Sequence, residues 1–546
     1  MTSPRTSTDI SPTFASPALG WLLLLPALLG TLITLLLPTV QTILLSLQSA
    51  GLTGPSVFVG LANYGQVLGQ GAFWKALVFT LSITVIPLLV AVVVGPLLAL
   101  ALDWSGAWPR RAGRIVLSLA LVAFSPVAVA LSWMRGLMSG ASGLASLAEG
   151  LRDPATAPGT LQLILAAATF GVVCALATMA FLPALRGGTV SPAMLAVGGL
   201  VALAMVAAGL QTFAIGLTLT HGGPNGSTQT LSLVQYTYAF MVGRVGLGAT
   251  VATIMGLILG VLGIGAVCVA AASGMRITVE PRAATARAET PAAQSGSGAK
   301  VIVGVVALVV FAAVGLALTW PWLSALLAPA QPGAAAPSGP PTVVNTWVPA
   351  LIGALVSVGV AYLGALGIGG LRPLGRRSEW LLLVFAPWLF VGMGPLSLAD
   401  WRTIRGMNLI DSFVALVQPV LVSVPALLIL TLLCKGLAAR TDRDFLGGVV
   451  LPSLPMAGIL VLALTLVNGQ DLLWPLLVAQ DPGLATAPVQ LLTRSSGYTA
   501  AAPDVGLATP PAVVAVALLG IVAAHLLYLD RLAITVGRSR ADVSPA

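Results

Sequence analysis

Hydrophobic positions along most of this chain do not alternate with polar ones at a period of 2 or 3.6; they run on for twenty or more residues at a time. About 20 apolar residues cross a 30 Å hydrocarbon core, so each such run predicts a membrane-spanning helix. The runs lie near 18–47, 73–102, 115–139, 160–185, 192–220 and 245–274, and again near 301–328, 344–370, 380–399, 413–434, 446–467 and 508–529. Between the two sets, Arg276 to Lys300 (RITVEPRAATARAETPAAQSGSGAK) is polar and rich in Ala, Pro, Gly and Ser, the composition of a flexible linker. The pattern predicts an all-α integral membrane protein of about twelve transmembrane helices, with six in a first half (1–275), a linker (276–300) and six in a second half (301–546). The first run is about twice the length of a signal-peptide core and no small-residue cleavage site follows it, so it is expected to stay as the first span.

Composition agrees with a lipid solvent. Hydrophobic residues make up 58% of the chain and charged ones 8%, with a mean hydropathy of +1.02, well outside what a soluble surface permits. The 60 Gly and 38 Pro imply kinked, closely packed helices, which a membrane bundle tolerates because neighbours satisfy the freed backbone groups. A formal net charge of +9 raises the question of nucleic acid, but the basic residues form no stripe with interleaved aromatics, and no nucleic-acid partner is expected. Their distribution serves orientation instead. With the N-terminus inside, 18 of the 25 Lys and Arg fall on the cytoplasmic side, so both termini and the linker are expected there.

The interior chemistry is sparse. No ionisable residue lies in the runs 115–134, 160–185, 192–220, 301–371 or 446–470, which argues against a proton- or sodium-coupled carrier. The chain has no phosphate-binding loop: GSGAK, ending at Lys300, lacks both the spacing and the hydroxyl. Cys174, Cys268 and Cys434 have no metal-ligand spacing, and His221 and His525 are the only histidines, so no catalytic residue, metal or cofactor is expected and the chain is not read as an enzyme.

Motifs in order along the chain carry a more specific reading. FVGLANY (Phe58 to Tyr64), FWKALVFTLSIT (from Phe73), SPVAVALSW (Ser125 to Trp133) and, most specifically, LTLTHGGPNGSTQTLSLVQYTYAF (Leu217 to Phe240) resemble, in order and spacing, the carbohydrate-type permeases of binding-protein-dependent ABC importers. In the second half NTWVPALIGALVSVGVAYL (from Asn345), NGQDLLWPLLVA (Asn468 to Ala479) and the final GLATPPAVVAVALLGIVAAHLLYLDRLAITVGR resemble the partner permease subunit. The resemblance implies two fused permease halves in a bacterial inner membrane, working with ABC ATPase subunits and an extracytoplasmic solute-binding protein, and moving a neutral polar solute such as a sugar or polyol. Lining candidates for the path are Trp133, Gln211, Thr212, Thr465, Asn468 and Trp474; Gly222, Gly223, Pro224, Thr228 and Tyr238 carry the external-loop motif. Taken one at a time, these residues also fit a tight turn or an interfacial aromatic belt.

The chain departs from that family where permeases carry a short cytoplasmic helix, E-A-A-x-x-x-G, that docks into the ATPase. The first half reads only ALRGGTVSP between Ala184 and Pro192. The second reads KGLAARTDRDFLGGVVLPSLP (Lys435 to Pro455), in which Ala438, Ala439, Asp442, Arg443 and Phe445 are the docking candidates and the motif's Glu and Gly are absent. The alternative is thus a permease-derived scaffold subunit of a membrane complex that no longer couples to an ATPase.

Overall fold

The fold follows from a conflict between long apolar runs, which favour helix, and the prolines within them, which break its ladder. A computed structural model describes residues 17–49, 51, 56–138, 145–187, 190–280, 298–327, 340–440, 444–496 and 505–537. The first half contains α1 (Pro17–Ser46), α2 (Gly71–Trp104), α3 (Ala107–Ala123), α4 (Pro126–Met138), α5 (Ala157–Arg186), α6 (Val190–Leu210), α7 (Ala214–Thr220) and α8 (Val245–Ala272). The second contains α9 (Gly298–Trp320), α10 (Pro340–Leu371), α11 (Met393–Gly406), α12 (Val424–Ala438), α13 (Leu446–Gly469), α14 (Leu473–Val478) and α15 (Pro511–Arg531). Among the described residues strands are confined to two short pairs, β1 (Gln48–Ser49) with β2 (Val57–Phe58) and β3 (Arg276–Val279) with β4 (Leu532–Thr535), both antiparallel.

Besides the π turn at Thr237–Met241, four helices widen locally into one, at Leu32–Leu36, Val90–Val94, Leu366–Leu371 and Leu446–Val450. Each ends two residues before a proline: Pro38, Pro96, Pro373 and Pro452. Proline has no N–H to donate and its ring crowds the carbonyl four residues back, so the preceding turn opens instead of breaking.

Among the described residues nine helices are long and apolar enough to span, and a tenth arises if α3 and α4, bent by 78°, form one broken span. Two of the twelve anticipated runs do not form full spans. The run 380–399 is divided into 3-10 turns (Gly375–Val384 and Ala386–Trp388) and the start of α11, because Pro387, Gly392 and Pro395 interrupt it. The run 413–434 becomes helical only from Val424, after Pro419, and the 15 residues of α12 reach about 22 Å at 1.5 Å per residue. The linker expected over 276–300 is ordered at both described ends, since β3 begins it and α9 starts at Gly298; residues 281–297 lie outside the described set.

The halves exchange their first helices. The N-terminal part of α1 packs on α10, where Gly364 and Gly367 let the backbones approach: a Cβ at Gly367 would lie 2.5 Å from the carbonyl oxygen of Gly20. Reciprocally, α9 packs on α2, α3, α4 and α5 of the first half, with Phe311 stacked on Phe170 at 6.0 Å. In its most apolar stretch α10 is 56% buried and α9 11%, which puts α10 at the centre and α9 on the lipid-facing flank.

Candidate functional site

The same two breaks occur in each half. Phe124-Ser125-Pro126 separates α3 from α4, and Phe385-Ala386-Pro387 stands at the corresponding place before α11. Gln211-Thr212-Phe213 separates α6 from α7, and Gln470-Asp471-Leu472 separates α13 from α14. Helix breaks inside a membrane protein are tolerated where protein or a wet cavity receives the freed backbone groups. These do so around a row of three cavities between the halves.

A central cavity of about 460 Å³ is walled by the middle of α1 and α10, by α6, by α13 and by the 388–393 segment. Gln211, Gly392, Met393 and Asp471 separate it from a second cavity of about 390 Å³, lined further by Thr212, Ser232 and Gln470. On the opposite side Ala204, Leu389, Phe390 and Pro425 separate it from a third, almost wholly apolar cavity of about 440 Å³ that reaches Arg114 and His525. Each volume lies in the ~300–1,000 Å³ range of small-molecule sites.

Gln211 holds the partition. Its Nε2 donates to the carbonyl oxygens of Phe390 (2.8 Å) and Ala207 (3.0 Å), and its Oε1 accepts from the Gly392 N–H (2.7 Å). Asp471 occupies the position corresponding to Thr212. Its Oδ2 accepts from Gln418 Nε2 (2.9 Å) and the Trp474 N–H (3.4 Å), and its Oδ1 from the Leu473 N–H (3.2 Å). Among the residues lining the central and second cavities it is the one ionisable side chain. Sequence reasoning missed it by one residue, since the charge-free run 446–470 ends just before it, inside the NGQDLLWPLLVA segment.

Of the anticipated lining residues, three come together: Gln211 and Asn468 on the central cavity and Thr212 on the second. The other three lie elsewhere. Trp133 is buried in a cluster with Trp401 and Trp474. Thr465 donates to the Val461 carbonyl of its own helix (2.7 Å), and Trp474 is fully buried, its Nε1 donating to Ala415 O (2.8 Å). Large aromatics beside a helix break fill the space that the break opens, though Trp474 also lines a small pocket that shares Gln418, Asn468 and Asp471 with the central cavity. Ser357, inside the segment from Asn345, and Gln418, Ser423 and Trp388, which no motif marked, also line the central cavity.

The GGP segment forms a tight turn. His221, Gly222, Gly223, Asn225 and Gly226 all have positive φ, and Pro224 begins a single 3-10 turn. A Cβ at Gly223 would come within 2.2 Å of Thr228 Oγ1, which is buried and donates to Thr220 Oγ1 (2.9 Å). Tyr238 donates to Gln70 Oε1 (2.5 Å), tying the turn's exit to the start of α2.

Of the docking candidates, Ala438 ends α12 and Ala439 caps it, while Asp442 and Arg443 lie outside the described residues. Phe445 is half-buried and packs toward Gly370 and Val449, so most of its ring serves the bundle. In the first half, α5 ends in a single 3-10 turn, Ala184–Arg186. Arg186 is engaged rather than free: it donates to the Asp530 carbonyl and, at 2.8 Å, to Asp530 Oδ1. Arg114, buried on α3, pairs with the same carboxylate, and Arg110 joins it at 3.5 Å and Asp103 at 3.2 Å. This network ties the last helix of the second half to the first.

No family model matches the chain. It is similar to the multiple sugar-binding transport system permease protein MsmF of Streptococcus mutans, 26% identical over 274 residues, covering 92% of that protein and 45% of this chain. A relative matched almost end to end thus accounts for less than half of the present sequence. The nine or ten apolar helices among the described residues, together with this similarity to a membrane permease, make the chain an all-α, multi-pass membrane protein.

Proposed function

We propose that the chain is the transmembrane unit of an ABC importer, two permease halves (1–275 and 301–546) in one polypeptide, carrying a neutral polar solute such as a sugar or polyol inward. ATP would be hydrolysed by partner ATPase subunits, and solute delivered by an extracytoplasmic binding protein. The observation that carries this reading is the row of cavities between the halves, partitioned by helix breaks that recur in both. Duplicated transporters place their site at such a repeat interface, with broken helices supplying the polar groups. The orientation that goes with it puts both termini and the linker in the cytoplasm of a bacterium, in its inner membrane, as the Lys and Arg distribution favours.

Reconstitution tests it. Full-length chain purified with its nucleotide-binding partner should take up a saccharide into proteoliposomes on addition of ATP, and a proton gradient alone should drive nothing. Uptake driven by the gradient would defeat the reading. A chain from which no nucleotide-binding subunit co-purifies would favour the scaffold alternative, to which the shortened ALRGGTVSP segment and the missing Glu and Gly of the docking motif lend weight.

A further inference from the structure

The third cavity has two unlike ends. It meets the central one at Leu389 and Phe390, and its length is walled by apolar side chains such as Met179, Val201, Leu428 and Met456. Arg114 and His525 are the two polar side chains among its lining residues. They stand at one end, because Arg114 pairs with Asp530, just over one turn beyond His525 on α15. Both are deeply buried, 3% and 2% exposed, and His525 Nδ1 has no hydrogen-bond partner among the described residues. Arg114 donates from Nη1 to Asp530, and a guanidinium carries five N–H groups. Around it Arg110, Arg111, Arg114 and Arg186 share the two carboxylates of Asp103 and Asp530, so among the described residues this end carries an excess of positive charge. A buried imidazole without a partner and buried charge without a counter-charge are both costly until something pairs with them.

We propose that the third cavity is a binding site for a single-chain amphiphile with an acidic head, of the fatty-acid or anionic lysophospholipid kind. The head accepts from the Arg114 guanidinium and the His525 imidazole, giving His525 the partner it lacks and the arginines their missing negative charge. The acyl chain runs along the Met179, Val201, Leu428 and Met456 walls toward Phe390. Neither part of such a molecule suffices alone. A small hydrated anion would satisfy the arginine end and leave water against hydrocarbon, while an uncharged chain would fill the walls and leave that end unpaired. A cationic head would meet the arginines. Because α3, α5 and α6 wall the cavity from the first half and α12, α13 and α15 from the second, the occupant touches both.

The test uses full-length chain in phosphatidylcholine nanodiscs, with radiolabelled palmitate and lysophosphatidylglycerol as probes and empty discs as the blank. At least one probe should bind saturably above the blank, and the one that binds more tightly identifies the source of the acidic head. Cetyl alcohol, the same chain without the charge, should bind at least about tenfold more weakly, because hydrogen bonds to a charged group are worth about that much. Val201→Trp, or Val201→Phe as a milder change, fills the cavity away from its polar end and should abolish saturable binding. Leu519→Trp, on the exposed side of α15, should leave it within about twofold. His525→Leu should weaken binding about threefold or more, and His525→Gln, which keeps an N–H donor, should restore most of it. Absence of saturable binding by both probes, equal binding of cetyl alcohol, or preference for hexadecyltrimethylammonium overturns the inference. So does indifference to His525→Leu or to both Val201 variants in monodisperse protein. None of these outcomes touches the importer reading, which stands or falls on ATP-driven uptake and the co-purifying ATPase.

Discussion

The two central breaks, 211–213 and 470–472, begin with the same residue and serve different ends. Gln211 is clamped by three backbone groups, two of them in the opposite half, so the first half's break is structural and holds the 388–393 partition in place. Gln470 makes one such bond, from Nε2 to Ala508 O (2.9 Å), and its neighbour is an acid instead of a threonine. Thr212 Oγ1 reaches only the Ala208 carbonyl of its own helix, at 3.4 Å. Similar backbone breaks therefore do not carry the same side-chain bonding: one is clamped as a strut, and the other leaves an acid on the cavity wall.

The largest effect should come from the joint that keeps the two halves in register. Asp530→Ala leaves Arg114 buried without its carboxylate and takes the Oδ1 acceptor from Arg186, and removing one partner of a buried pair costs ~3–5 kcal/mol. A thermal melt of the detergent-solubilised chain should fall accordingly; an unchanged melt would mean that the halves are held by helix packing alone.

The comparison of breaks sharpens next. Gln211→Leu removes the bonds to Phe390 and Gly392, worth about 2 kcal/mol together, and Gln470→Leu removes one, worth about 1 kcal/mol. Equal destabilisation by the two in the same assay would end the distinction between the clamped break and the other.

A third difference lies after the Phe-x-Pro breaks. The first-half helix α4 has no acidic residue, whereas α11 carries Asp400, buried with Oδ2 unpartnered among the described residues, and burial pushes its carboxyl up to about 8. A carboxyl whose folded pKa lies above its unfolded value keeps its proton in the folded chain. Stability is thus greatest at low pH and falls as pH rises from about 4 to about 8, by at most ~1.4 kcal/mol per pH unit for one proton. Melts across that range should flatten in Asp400→Asn; an unchanged slope would assign the pH dependence to other groups. The smallest effect is expected for Thr212→Ala, within ~0.5 kcal/mol on the melt, given its long hydrogen bond.

Much of this was legible in one dimension. Uninterrupted apolar runs demand lipid and helix whatever their neighbours, because an unpaired peptide group in hydrocarbon costs several kcal/mol. The lengths of α1, α2, α5, α6, α8, α9, α10, α13 and α15 follow from that, and the prolines at 38, 96, 373 and 452 already mark where the ladder widens. Gln211, Thr212 and Asn468 were found because polar residues at the end of an apolar run have few places to go but a cavity.

What the chain alone did not determine is which apolar face meets lipid and which meets protein. Both surroundings are equally apolar, so hydropathy cannot separate α10 at the centre from α9 on the flank, nor foresee that α1 and α9 cross to the opposite halves. The same indifference hid the packing of Trp133 and Trp474, and left Asp471 a residue past a boundary drawn by charge. Only packing decided these, because small residues such as Gly364 and Gly367 let particular helix pairs approach, and those approaches leave the cavities where the breaks can face them.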